Sequence, residues 1–231
     1  DEKEREFADA PNGIVGLEPA RSDNFELGAK LVALPGWRVA AALFRVNTQD
    51  EIVVRSNVQG RSAFGNAGTT RRQGAELALD WEPAPELGLS LAATALDARF
   101  TAPFLTCGPP PCTLPSVTVA AGNRLPGVPA YSAFAQLRWS PGPAEWRLEW
   151  RVQSAMYVDD RNSASAPGYG VINLAVARSL RLGAVSARAF LRVNNLADKR
   201  YVGAVIVNEA NGRHYEPAPG RNWLAGIDLT S

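Results

Sequence analysis

The 231-residue chain is 46% apolar, 20% charged and 8% aromatic, with 24 Lys and Arg against 23 Asp and Glu, which excludes a disordered chain and a basic nucleic-acid arm. No stretch reaches the ~18 uninterrupted apolar residues that a membrane-spanning helix needs, and the start, DEKEREFADAP, lacks the basic and apolar regions of a secretory signal. The chain is expected to be mature, cytosolic or cut from a longer one, and with one His, one Met and no nucleophile pair it is not expected to be an enzyme.

Nine strands are predicted, at about 24–33, 37–54, 71–81, 88–100, 130–139, 145–158, 169–179, 184–196 and 221–230, because periodicity is close to two and no window carries a helical stripe. Ala75, Leu77, Leu79 and Trp81 alternate with Glu76, Ala78 and Asp80. Tyr131, Ala133, Ala135, Leu137 and Trp139 alternate with Ser132, Gln136 and Arg138, although Phe134 interrupts the polar set. The clearest case sets Trp146, Leu148, Trp150 and Val152 against Arg147, Glu149, Arg151 and Gln153, and the last sets Trp223, Ala225, Ile227 and Leu229 against Gly226 and Asp228.

The connections alternate in length. Leu34-Pro35-Gly36, Glu82 to Leu87, Ser140 to Ala144 and Leu180 to Gly183 are tight, whereas the connections at about 55–70, 101–129, 159–168 and 197–220 are long. Short turns at one end and long loops at the other are the layout of an all-β, antiparallel, up-and-down transmembrane barrel. Trp37, Trp81, Trp139 and Trp146 all flank short turns and are expected to form a ring at a membrane boundary. Outward positions are then Trp146, Leu148, Trp150, Leu137, Ala135, Leu77, Leu79 and Ile227. Inward positions are Arg147, Glu149, Arg151, Gln136 and Arg138, with Arg188 and Arg192. The alternatives are a soluble ligand-binding β-sandwich or lipocalin-like barrel, in which the tryptophans are core, and a small porin-like barrel. Nine strands are an odd number, so residues 1–231 are expected to be the tail of a larger barrel.

Cys107 and Cys112 bracket a turn-forming GPPP insert, and a short-loop disulfide is favoured over two free thiols. The single His214 lies too far along the chain to complete a metal site with them. Asp159 and Asp160 beside Asn162 are spaced like the start of a calcium loop, but the glycine and the distal Glu of a calcium-binding hand are absent, so no metal is expected.

Four stretches in order resemble the C-terminal barrel half of TonB-dependent outer-membrane receptors, especially those for ferric siderophores. They are LEPARSDNFELGAK (17–30); FRVNTQDEIV (44–53) with FGNAGTTRRQGAELAL (64–79); GNRLPGVPAYSAFAQLRW (122–139) with YVDDRNSASAPGYGVINL (157–174); and VNNLADKRYVG (193–203) with HYEPAPGRNWLAGIDL (214–229). Ala20 stands where the family usually has Glu, and Ser231 where its closing strand usually ends in an aromatic residue.

The resemblance implies an outer-membrane location and about nine C-terminal strands of a 22-stranded barrel, without the plug domain and without the earlier strands. It implies lipid as a partner, TonB engaged through the plug, no nucleic acid, no catalysis and no cofactor, the cargo being a ferric siderophore or similar iron complex. The long loops then face outward and offer Arg55, Arg61, Arg124, Tyr157, Arg161, Arg213, His214 and Tyr215 to an anionic ligand.

Overall fold

The computed structural model describes residues 17–32, 35–58, 61–108, 115–183 and 185–230. In chain order its strands are β1 (Arg21–Leu31), β2 (Trp37–Gln49), β3 (Ile52–Val58), β4 (Arg61–Asn66), β5 (Thr70–Ala84), β6 (Leu87–Phe100), β7 (Phe104–Thr106), β8 (Val117–Val119) and β9 (Tyr131–Trp139). They continue as β10 (Ala144–Gln153), β11 (Met156–Tyr157), β12 (Ser165–Ala166), β13 (Tyr169–Leu182), β14 (Val185–Asn194), β15 (Val202–Val205), β16 (Tyr215–Pro217) and β17 (Asn222–Thr230).

Nine strands form one antiparallel sheet in the order β1-β2-β5-β6-β9-β10-β13-β14-β17, so each pairs with the next long strand in sequence. This is the expected meander, and it replaces the two stacked sheets of a sandwich. Two predicted strands were too long. Asp50 takes a left-handed conformation (φ 53) that ends β2 at Gln49 before β3 begins, and the strand predicted to reach residue 158 stops at Gln153. Each long connection also carries a short ribbon of its own: β3 with β4, β7 with β8, β11 with β12, and β15 with β16.

Residues opposite one another in a ladder share a face. One row runs Ala29, Ala41, Leu77, Ala93, Ala133 and Val152; the next runs Leu31, Val39, Leu79, Leu91, Ala135 and Trp150. On the other face Glu149 lies opposite Gln136 and Asn173, and Arg147 opposite Arg138. Burial inverts the order found in water-soluble proteins: Leu148 and Trp150 are 43% and 50% exposed, while Glu149 between them is 7% exposed. Side chains converge on the inner side of a curved sheet, so the sheltered charged face is the inner one. The apolar face is the outer one, as the alternation predicts for a wall solvated by lipid.

The outer band has sharp limits. At the short-turn end Trp37 pairs with and stacks on Trp81, with ring centroids 5.0 Å apart, and Trp146 pairs with Trp139. At the other end the row Leu43, Ala75, Ala95 is followed by Arg45, Gln73, Asp97. From Trp37 to Leu43 the strand rises roughly 20 Å at ~3.4 Å per residue, close to the ~25 Å of an outer-membrane apolar belt.

The inner wall pairs its charges. Arg192 grips Glu149 with two nitrogens (2.8 and 2.6 Å), Asn173 donates to the same carboxylate (3.2 Å), and Glu145 joins Arg147 (2.9 Å) to Arg188 (3.3 Å). Two aromatic residues on this wall face glycines: Phe44 sits opposite Gly74 and Phe190 opposite Gly226. A β-carbon on Gly226 would come within 2.6 Å of the Phe190 ring.

In the full-length receptor folded into lipid vesicles, Leu77→Arg on the outer face is expected to cost about 2–4 kcal/mol, whereas Gln136→Arg on the inner face is expected to be nearly neutral, as read from urea unfolding. Among the described residues β1 and β17 each have one unpaired edge. Residues 1–231 expressed alone are therefore expected to give no heat-modifiable monomer band on electrophoresis, because a row of unsatisfied backbone groups in hydrocarbon costs several kcal/mol per group.

Candidate functional site

Beyond the polar row the strands leave the apolar band and the burial pattern reverts to that of a water-soluble protein. Ala98 and Phe100, on the inner face of β6, pack with Ala67, Val119 and Leu125, and Val53, Phe104 and Val128 lie against them. Apart from Ala98 and Phe100 these residues come from the β2–β5 and β6–β9 connections, so two of the long loops share a small core with the end of β6.

Polar ties extend this body. Glu51 receives both guanidinium nitrogens of Arg72 (2.9 Å each) and the Thr70 hydroxyl (2.8 Å). Burial pushes its carboxyl up, but these bonds outweigh burial and hold it below the usual carboxylate range. Asn162, left-handed at φ 58, accepts from the Arg124 N–H (2.7 Å) and donates to the Arg124 carbonyl (2.8 Å). The Asp159 carboxylate accepts from the Ser163 N–H (3.1 Å), the Ser163 hydroxyl (2.8 Å) and the Ala164 N–H (3.0 Å). Its oxygens close the loop on itself.

Asn208 links further still. Its side-chain oxygen accepts from the Asp160 N–H (3.0 Å), and its amide nitrogen donates to Asp160 Oδ2 (2.9 Å) and to the Val54 carbonyl. Asn123 donates to the Asp160 carbonyl (2.8 Å). Residue 208 has φ 54, a conformation that Asn tolerates better than most side chains.

The sequence-predicted ligand residues divide by position. Arg161 and His214 line one cavity of ≈ 190 Å³ together with Thr106, Asp160, Ser163 and Glu209. His214 Nδ1 is 3.2 Å from the Ile206 carbonyl, and its ring meets Tyr215 edge-on at 6.1 Å. Tyr215 donates its hydroxyl to the Ser165 carbonyl (3.2 Å), and the Arg213 N–H donates to Glu209 (3.3 Å). Tyr157 is held in β11, where its carbonyl accepts from the Gly127 N–H (2.8 Å). Arg124 is committed to the frame, bound to the Leu96 carbonyl (3.1 Å) and near Asp97 (3.5 Å). Arg61 stands exposed at the start of β4 and is not among the residues that line the cavity. The Arg55 side chain and the whole of Cys112 lie outside the described residues. Cys107 also lines the cavity and is disulfide-bonded.

Sequence reasoning missed Asn123 and Asn208, and it weighed Asp160 only as a calcium ligand. An isolated Asn in a loop carries no periodic signal, and the partners here are 37, 48 and 154 residues apart.

A family model described as "TonB dependent receptor-like, beta-barrel" matches residues 5–196. A probable TonB-dependent siderophore receptor, PiuA of Acinetobacter baumannii, is 29% identical over 217 residues, covering 92% of this chain and 27% of that protein. The crystal structure of the siderophore receptor PiuA from Acinetobacter baumannii superposes with a TM-score of 0.71 at 24% identity, over 90% of this chain and 28% of that one. The ferric yersiniabactin uptake receptor FyuA from Yersinia pestis gives 0.67 at 23% identity, over 91% and 29%. The chain thus spans little more than a quarter of the length of the relatives it matches.

Asp159→Ala is expected to free the turn at residues 158–164 and to cost about 1.5–3 kcal/mol locally, the range for hydrogen bonds to a charged group. Limited proteolysis of that loop, with the barrel band unchanged, is the check.

Proposed function

The chain belongs to the TonB-dependent receptor family, and from that membership we propose that it forms part of the wall and the outer mouth of a receptor that takes up a ferric siderophore or a similar iron complex. Its place is the outer membrane. The observation that carries the reading is the wall itself: an apolar outer face, a charged inner face, and every long ribbon-bearing connection gathered at one end. Such a wall encloses a polar passage through lipid, and the packed loops stand over its entrance.

In this reading Arg161 and His214 are the leading ligand contacts, since they share one loop cavity. Arg55, Arg61, Arg213 and Tyr215 stand as secondary contacts, and Tyr157 and Arg124 shape the frame. Cys107 and Cys112, bonded to each other, would stiffen the β6–β9 loop. A guanidinium suits the anionic oxygens of many iron chelates, and aromatic rings suit their flat donor groups. No bond of the cargo is made or broken, and no cofactor is required. Energy would arrive from TonB through a plug, and the lumenal charges on Arg147, Glu149, Arg151, Arg188 and Arg192 would face that plug or lumenal water.

Deleting the gene for the full-length receptor is expected to abolish growth on a ferric siderophore as sole iron source, and the intact gene is expected to restore it. Removing TonB should stop uptake while leaving surface binding intact. Arg161→Ala with His214→Ala is expected to weaken binding of the radiolabelled ferric complex about tenfold, equivalent to about 1.4 kcal/mol. Growth that never depends on the gene with any iron complex would refute the reading.

A further inference from the structure

The four long connections are not separate flaps: one pair of residues, through side chain and backbone together, is bonded to all of them. Asp160 belongs to the β10–β13 connection and Asn208 to the β14–β17 connection, and they share two hydrogen bonds (3.0 and 2.9 Å). Asn123 of the β6–β9 connection donates to the Asp160 carbonyl (2.8 Å). Asn208 also donates to the carbonyl of Val54 in β3, within the β2–β5 connection. The Asn208 N–H reaches the Val158 carbonyl (3.0 Å), and the Gly127 N–H the Tyr157 carbonyl (2.8 Å), so backbone bonds back the same junction.

The junction contains one group that does not fit its setting as an anion. Asp160 is 1% exposed, its Oδ2 is held by Asn208, and its Oδ1 has no hydrogen-bond partner among the described residues. A buried carboxylate oxygen without a donor is costly when charged and far less so when it carries a proton. We propose that Asp160 and Asn208 form a proton-sensitive clasp that draws the four outer loops together more tightly as the surroundings become mildly acidic. The proposal rests on the preceding reading only in taking these loops as the mouth of a receptor.

The direction follows from the surroundings. Burial pushes the Asp160 carboxyl up to about 6 from an ordinary 3.8; the Asn208 bond opposes the rise and the neighbouring Asp159 charge adds to it. The clasped state therefore holds the proton more tightly than an exposed aspartate would. Protonation favours the clasp, the gain is complete below about pH 4, and it is lost as pH rises through about 6. Other charged groups at the junction are Asp159 and Arg161 on the same loop, and Glu209 and His214 on the loop of Asn208. Arg124, beside Asn123, is engaged with Asp97, and the disulfide-bonded Cys107 does not titrate. The imidazole of His214 lines the same cavity, so the test substitutes it separately.

Amide hydrogen exchange of the full-length receptor in detergent, corrected for intrinsic rates, is compared at about pH 5 and about pH 7.5. Wild type should show about tenfold greater protection of the Asp160, Asn208 and Gly127 amides at the lower pH. Asp160→Asn keeps an oxygen for Asn208 but cannot ionise, and its protection should be the same at both values. His214→Gln should keep the wild-type dependence. Equal protection of the wild type at both pH values, persistence of the dependence in Asp160→Asn, or its loss in His214→Gln would each overturn the clasp. The wild-type comparison decides even if a variant fails to fold. Exchange is read without ligand, so a failure of the uptake reading would show separately, in growth and binding.

Discussion

Inside hydrocarbon only the chain itself can satisfy a backbone N–H or C=O, and the unbroken ladder from β1 to β17 is the consequence on which everything else here depends. Once the backbone is committed to that ladder, side chains have only two directions available. Lipid takes the apolar set, which frees the other face to hold charges that a soluble core could not accept. Glu149 is nearly buried yet fully engaged, because Arg192 and Asn173 meet it along the inner side of neighbouring strands. The same constraint explains where the irregular backbone sits: bulky connections lie beyond the polar row of Arg45, Gln73 and Asp97, where water is available again.

Most of the wall was legible from the sequence because a strand writes its face into every second residue. Trp146, Leu148 and Trp150 against Arg147, Glu149 and Arg151 needed no partner to be interpreted, and the short turns between strands fixed the order of pairing. Asp50 was missed because a single left-handed residue ends a strand without disturbing the apolar pattern around it. The β7–β8 and β11–β12 ribbons were missed for a related reason: strands of two or three residues are below the length at which alternation can be recognised. The candidate site was less legible. Arg161 and His214 were chosen for their chemistry, and a shared cavity for them could be found only from their coordinates. Asn208 acts through bonds to residues far along the chain, and no local pattern encodes that.

The loop body also bears on how such a mouth can bind. Loops that must be ordered by their ligand spend part of the binding energy on lost conformational freedom. Here Phe100 and Val119 are fully buried in a core built by two connections, and Tyr215 joins two others through the Ser165 carbonyl. Much of that ordering is already present before any ligand arrives. In the proposed receptor, selectivity would then rest on the side chains at the surface of this frame, with the frame setting their spacing.

The two Phe–Gly pairs on the inner wall have a geometric consequence for the wall itself. Phe44 and Phe190 each bring ring atoms into the space that a β-carbon would fill on the glycine opposite them in the adjoining strand. The missing β-carbon serves as a recess for the ring. At these two places a large apolar side chain covers the backbone of the adjoining strand, and only a residue without a β-carbon leaves room for it.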